Sequence, residues 1–251
     1  MLHPHFQLPT ADTEGFLKVI DLPDSDDTPV DNELQDLIPG LLKLLLSMIW
    51  ADRQDWFWGT DMALYFDPDD EPIVPDGFLA IGVPRIKDEN LRRSYLLWEE
   101  KVVPVLTLEV VSRKRRGEYG QKKLDYAALG VRYYAIYNTL RKVKTTLEIY
   151  RLEENGEYAL VSDNPVWLPE LGLGLGLERG VYQGIERDWL YWYDQSGKRY
   201  PTPEERTLSA EAWAQQEAQS RLLAEERASK VQAELEALRQ RLQDLGIAPD
   251  I

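Results

Sequence analysis

The sequence predicts an α/β protein: a mixed β-sheet flanked by helices, followed by a C-terminal helical coiled-coil tail. Three observations carry this. Residues 103–137 read as strand, helix, strand: the apolar run VPVLTLEVVS, a basic turn, the helix QKKLDYAALG closed by Gly130, and the aromatic strand VRYYAIY. Beside this unit lie segments with antiparallel character, including LEIYRL and YALV, joined as a hairpin around Asn155-Gly156. After Pro203 there is no glycine until Gly246, and Ala228, Val231, Leu235, Leu238, Leu242 and Leu245 keep a three-four spacing. The chain divides accordingly into an extended arm over residues 1–24, a globular domain over 25–200 and a coiled-coil tail over 204–246, for which three arrangements are open: a homodimer, folding back on its own domain, or a single charged helix.

Taken in order, the Pro-, Asp- and Thr-rich opening lacks periodicity and reads as extended. His3 and His5 have no third nitrogen or sulfur ligand nearby and do not predict a zinc site. From Asp31 a helix begins, with Asp31 or Asn32 as its cap and Pro39-Gly40 expected to kink or divide it. WFWGTDMALYF reads as a strand interrupted by Asp61. The acidic residues 67–71 lack the calcium-loop spacing and read as a solvated turn. Pro75-Asp76 opens a short strand, GFLAIGV, in which proline takes the first position. Residues 84–102 read as a loop with a short amphipathic helix, and LGLGLGLERG as a glycine-bearing strand or loop, because it has no phosphate-loop ending.

Cysteine is absent, which excludes disulfides, thiolate catalysis and Cys-based zinc binding. No apolar run approaches a membrane span. A cytoplasmic protein without a membrane partner is the expectation. The net charge of -15 conceals a reversal, since residues 101–151 carry 12 Lys and Arg against 4 Asp and Glu. Such a segment holds phosphate or is simply a solvated basic loop. Its densest part is Arg113, Lys114, Arg115 and Arg116, the candidate phosphate-binding residues.

One carboxylate stands out. Glu109 interrupts a strand of aliphatic residues, where an uncompensated charge costs several kcal/mol or about that. Period two puts Glu109 and Val111 on one face and Leu108 and Val110 on the other. Lys122 and Tyr126, four residues apart, share a face of the next helix. The residue types alone leave two readings open: a structural Glu109–Lys122 ion pair, or a metal-binding carboxylate with a lysine beside it.

The ordered set Pro75-Asp76, Glu109-Val110-Val111-Ser112, Lys122, Tyr126 and Gly130-Val131 resembles the PD-(D/E)XK nuclease superfamily, and within it the Uma family of restriction-endonuclease-like proteins, over residues 25–195. The resemblance implies a restriction endonuclease-like fold and hydrolysis of DNA phosphodiester bonds with Mg2+, or Mn2+ in its place. It implies that Asp76 and Glu109 bind the metal with the main-chain carbonyl of Val111, and that Lys122 positions or activates the nucleophile. Glu33, Asp61, Ser112 and Tyr126 are supporting candidates. The superfamily pattern sets its lysine two residues after the acid, where Val111 stands; in the Uma group it sits on the following helix, matching Lys122, with Lys123 an open alternative. The other function compatible with these features is a catalytically silent nuclease-fold protein that binds or assembles through its tail.

Overall fold

A computed structural model describes residues 32–87, 89, 91–111, 117–138 and 146–245 of the chain. The arm over 1–24, Ser112 and the four basic residues 113–116 lie outside the described residues. Clustering of contacts divides the chain into two units, one ending at Tyr200 and one beginning at Pro201.

The first unit is built on a six-stranded mixed sheet in the order β1-β3-β5-β6-β7-β8. β1 (Trp56–Thr60), β3 (Gly77–Ile81) and β5 (Leu106–Val111) are antiparallel neighbours. β6 (Tyr133–Asn138) lies parallel to β5, and the helix α3 (Gln121–Leu129) makes the crossover between them. β7 (Leu147–Leu152) and β8 (Tyr158–Val161) extend the sheet as the expected hairpin. A three-stranded sheet of β9 (Val166–Leu168), β10 (Leu173–Tyr182) and β11 (Ile185–Tyr193) and a small parallel pair of β2 (Leu64–Tyr65) with β4 (Tyr95–Leu96) complete it.

Alternation along β5 sorts its side chains into two cores. Leu106, Leu108 and Val110 join Tyr133, Ala135 and Tyr137 in a core shared with α1 (Leu34–Ile49) and the β9–β11 sheet. Trp192 of β11 donates its indole N–H to the Leu42 carbonyl of α1 at 3.0 Å and meets Trp58 edge-on. Val111 joins the opposite core, with Tyr126 and Leu129 of α3 and Phe57, Phe78 and Tyr95. Glu109 shares the Val111 face, so it points at α3.

Three elements depart from the sequence reading. Pro39 does not divide α1, which runs unbroken through it. The reason is tertiary: Leu37, Ile38, Leu41, Leu42, Leu45 and Leu46 are all buried, and each such side chain stabilises by about 1.5–3 kcal/mol, enough to override one lost backbone bond. Among the described residues of 84–102, the short helix expected there is α2 (Leu97–Glu100), and the departure is the strand β4 just before it. The aromatic run after Gln54 makes two strands rather than one, broken where Asp61 takes φ 46. The glycine-rich repeat forms β10, and a Cβ at Gly176 would stand 2.6 Å from Asn164 Oδ1 and 2.8 Å from Pro165 Cα. Those glycines admit a crossing loop, not a phosphate.

The α1 packing gives a direct check. Leu41→Ala, at a fully buried position, should lower the unfolding free energy by about 2–5 kcal/mol in urea denaturation, while Leu44→Ala, on the 36 % exposed side, should change it by less than about 1 kcal/mol.

Candidate active site at the end of β5

Glu109 is 2 % exposed, and what compensates its charge comes from α3. The helix starts after Gly120 and stops at Gly130, whose φ of 82 provides the left-handed turn into β6. Its buried residues Tyr126, Ala127 and Leu129 fix its rotation, so Lys122 and Tyr126, one turn apart, both face β5. Lys122 Nζ lies 2.9 Å from each Glu109 carboxylate oxygen. The Tyr126 hydroxyl donates to Glu109 Oε1 at 2.7 Å. Lys122 also donates to the Val74 carbonyl at 2.9 Å, which ties α3 to the chain just before Pro75-Asp76.

Asp76 sits where β3 begins, beside Glu109. Its Oδ2 accepts the backbone N–H of Val110 at 2.5 Å, and its Oδ1 accepts from Gln35 Nε2 at 3.2 Å. The β3–β5 register pairs Gly77 with Leu108, and carried two residues on it sets Pro75 against Val110. Proline has no N–H to give the Val110 carbonyl, so the ladder stops there, and the Val110 N–H is taken by the Asp76 side chain. N–H and C=O groups alternate between the two edges of a strand. The carbonyl that shares the Asp76 edge is therefore that of Val110, while the Val111 carbonyl turns toward β6.

Other residues singled out in the sequence fall around this centre at different distances. Asp61 donates its backbone N–H to the Asp76 carbonyl at 3.3 Å and keeps an exposed side chain. Glu33 is exposed at the N-cap position of α1 and makes no capping bond. Gln35, which the sequence reading missed, is the α1 residue that reaches Asp76. Its signal was the helical phase: Gln35 precedes the fully buried Ile38 and Leu42 by three and seven residues, and Glu33 does not. Lys123 places its ammonium 3.5 Å over the Tyr150 ring, so of the two neighbouring lysines it is Lys122 that meets Glu109.

A family model described as Uma2, putative restriction endonuclease, matches residues 28–182, more than half of the chain and all of this centre. The chain belongs to the Uma2 family. No curated protein matches it.

The electrostatics of this Uma2 site are those of two carboxylates sharing one ammonium. Burial, and then the Glu109 charge, push Asp76 up to about 7, against the opposing pull of the Val110 N–H and Lys122. Burial also raises Glu109, by more than Lys122 and Tyr126 offset. For Lys122 burial acts to lower the pKa, but the Glu109 charge and hydrogen bonds outweigh it and the net direction is up, so it stays an ammonium. Burial and the Glu109 charge hold Tyr126 protonated as a donor.

Among the described residues no group of three or more His, Cys, Asp and Glu gathers as a metal cluster. The donors here are of another kind: two carboxylates and a main-chain carbonyl. Hard oxygen donors in that number suit Mg2+, which keeps several positions for water and phosphate oxygens.

The sign of the Asp76 shift is testable. Its folded pKa lies above the ordinary 3.8, so the metal-free protein loses stability as pH rises between those values. Asp76→Asn removes the charge. In metal-free buffer, thermal unfolding should show the variant more stable than wild type by about 1–2 kcal/mol above about pH 8, with the difference vanishing below about pH 4.

Proposed function

We propose that this chain is a metal-dependent endonuclease that hydrolyses DNA phosphodiester bonds, with Asp76, Glu109 and Lys122 as its catalytic residues. The observation that carries the reading is the convergence of a buried carboxylate, a second carboxylate with its pKa raised to about 7 and a single lysine at the end of a central strand. Membership of a family described as restriction endonucleases supplies DNA as the substrate class.

Asp76, Glu109 and the Val110 carbonyl would hold Mg2+, or Mn2+ in its place. Bound there, the cation would stabilise the charge that builds on the phosphate oxygens and make a water more acidic. The chain's own residues do the rest. Lys122, an ammonium at neutral pH, turns from its Glu109 contact to orient the attacking water and balance the negative charge near phosphorus. Tyr126 keeps Glu109 in place through its hydroxyl, and Gln35 and the Val110 N–H fix the two oxygens of Asp76. The water gives up a proton to solvent as its oxygen forms a bond to phosphorus, the bond to the leaving sugar oxygen breaks, and that oxygen takes up a proton from solvent. Arg113, Lys114, Arg115 and Arg116, which follow β5 directly in sequence, are proposed to hold the neighbouring phosphates.

Purified protein with Mg2+ or Mn2+ should cleave plasmid or linear DNA. Glu109→Ala and Lys122→Ala should each reduce the rate by at least about 100-fold, while Lys123→Ala, which removes the contact with Tyr150, should stay within about threefold of wild type. Absence of metal-dependent cleavage across a panel of methylated and unmethylated DNA, or equal loss in Lys122→Ala and Lys123→Ala, would sink the assignment.

A further inference from the structure

The second unit poses a separate question. Its helix α4 (Pro203–Asp244) runs for 42 residues and buries none of them. A capping box fixes its start, with the Thr202 hydroxyl accepting the Glu205 N–H at 3.2 Å and the Glu205 carboxylate accepting the Thr202 N–H at 2.8 Å. Nothing along the rest of the helix explains its apolar positions. Val231 is 62 % exposed and Leu238 57 %, with Leu235 and Leu245 also open. These residues, with Ala228 and Leu242, alternate spacings of three and four, the repeat of a two-stranded seam rather than of a helix lying on a globular surface.

We infer that α4 is a dimerisation helix whose occupant is α4 of a second copy, parallel and in register. Charge complementarity supports this partner. Glu234 and Arg239 flank the seam five residues apart, the separation at which residues of two parallel strands meet across it. Glu234 therefore faces Arg239 of the partner subunit, and twofold symmetry makes the same pair again. Arg227 and Gln232, at the preceding flanking positions, add no like-charge contact.

The helix end decides the direction. In an antiparallel pair with Leu235 against Leu238, the partner's helix would end near Ala228 and leave the first half of α4 without a mate, since α4 stops at Asp244. In the parallel pair the seam continues upstream through Ala224, Ala214 and Ala210. The two polar positions between them, Glu217 and Arg221, already neutralise one another at 2.6 Å within each helix. Leu208, Leu222 and Leu223 lie off the seam and remain outside it.

The test uses the full chain. Its mass in solution, followed by light scattering or sedimentation over a concentration series, should reach twice that of one chain. Leu235→Asp with Leu238→Asp should give a monomer whose thermal transition for the β-sheet unit is unchanged, while Leu222→Asp, equally exposed but off the seam, should stay dimeric. Because the chain has no cysteine, Leu238→Cys reads the direction directly. Oxidation should link two copies through it, reversibly. A wild-type monomer at every concentration overturns the proposal. So does a dimer that survives the double aspartate variant, or cross-linking that needs Leu235→Cys on one copy and Leu238→Cys on the other. None of these outcomes depends on nuclease activity.

Discussion

A single buried charge sets the terms for the first unit. Glu109 stands in the middle strand of the six-stranded sheet, and its ionised form is tolerable only because α3 delivers an ammonium and a hydroxyl to it. That requirement is met through the rotation of α3, which its buried residues Tyr126, Ala127 and Leu129 fix. Burying a charge beside a lone partner is a weak way to stabilise a protein, since desolvation offsets most of what the pair returns. An aliphatic residue in place of Glu109 would fit this strand better.

The second carboxylate sharpens that conclusion. Asp76 does not relieve Glu109, and burial, followed by the Glu109 charge, pushes its own pKa up to about 7. A structural ion pair has no use for such a neighbour. Proline at 75 has no N–H for the Val110 carbonyl and ends the β3–β5 ladder, and next to that break the Asp76 side chain accepts the Val110 N–H. On the far side, Gln35 joins α1 to the same group, which links the site to the larger core beneath the sheet. The site thus draws on three elements that are each held by their own apolar packing.

Much of this was legible in the sequence because it rests on period and order. Alternation in VPVLTLEVVS assigned Glu109 to its face, the four-residue step from Lys122 to Tyr126 assigned both to one side of α3, and Gly130 marked the helix end. The family followed from the ordered motifs. What escaped was decided by tertiary contact. The unbroken α1 follows from six buried aliphatic side chains that outweigh proline's local preference. Gln35 rather than Glu33 at the site follows from the phase of that helix against the sheet. The choice of the Val110 carbonyl over that of Val111 depends on which strand lies on which edge of β5, and the β10 glycines on the loop that crosses them. None of these is a local property of the residues concerned.

Whether Asp76 and Glu109 together hold a divalent cation can be measured without any substrate. Titration of Mn2+ into the full chain, followed by the electron paramagnetic resonance signal of the free ion, should reveal one saturable site per chain. Glu109→Gln should lose it, and Lys122→Met, which removes a competing cation from the same carboxylate, should keep it or bind more tightly. Failure of wild type to bind Mn2+, or undiminished binding in Glu109→Gln, would contradict the account and leave Glu109 and Lys122 as a structural pair.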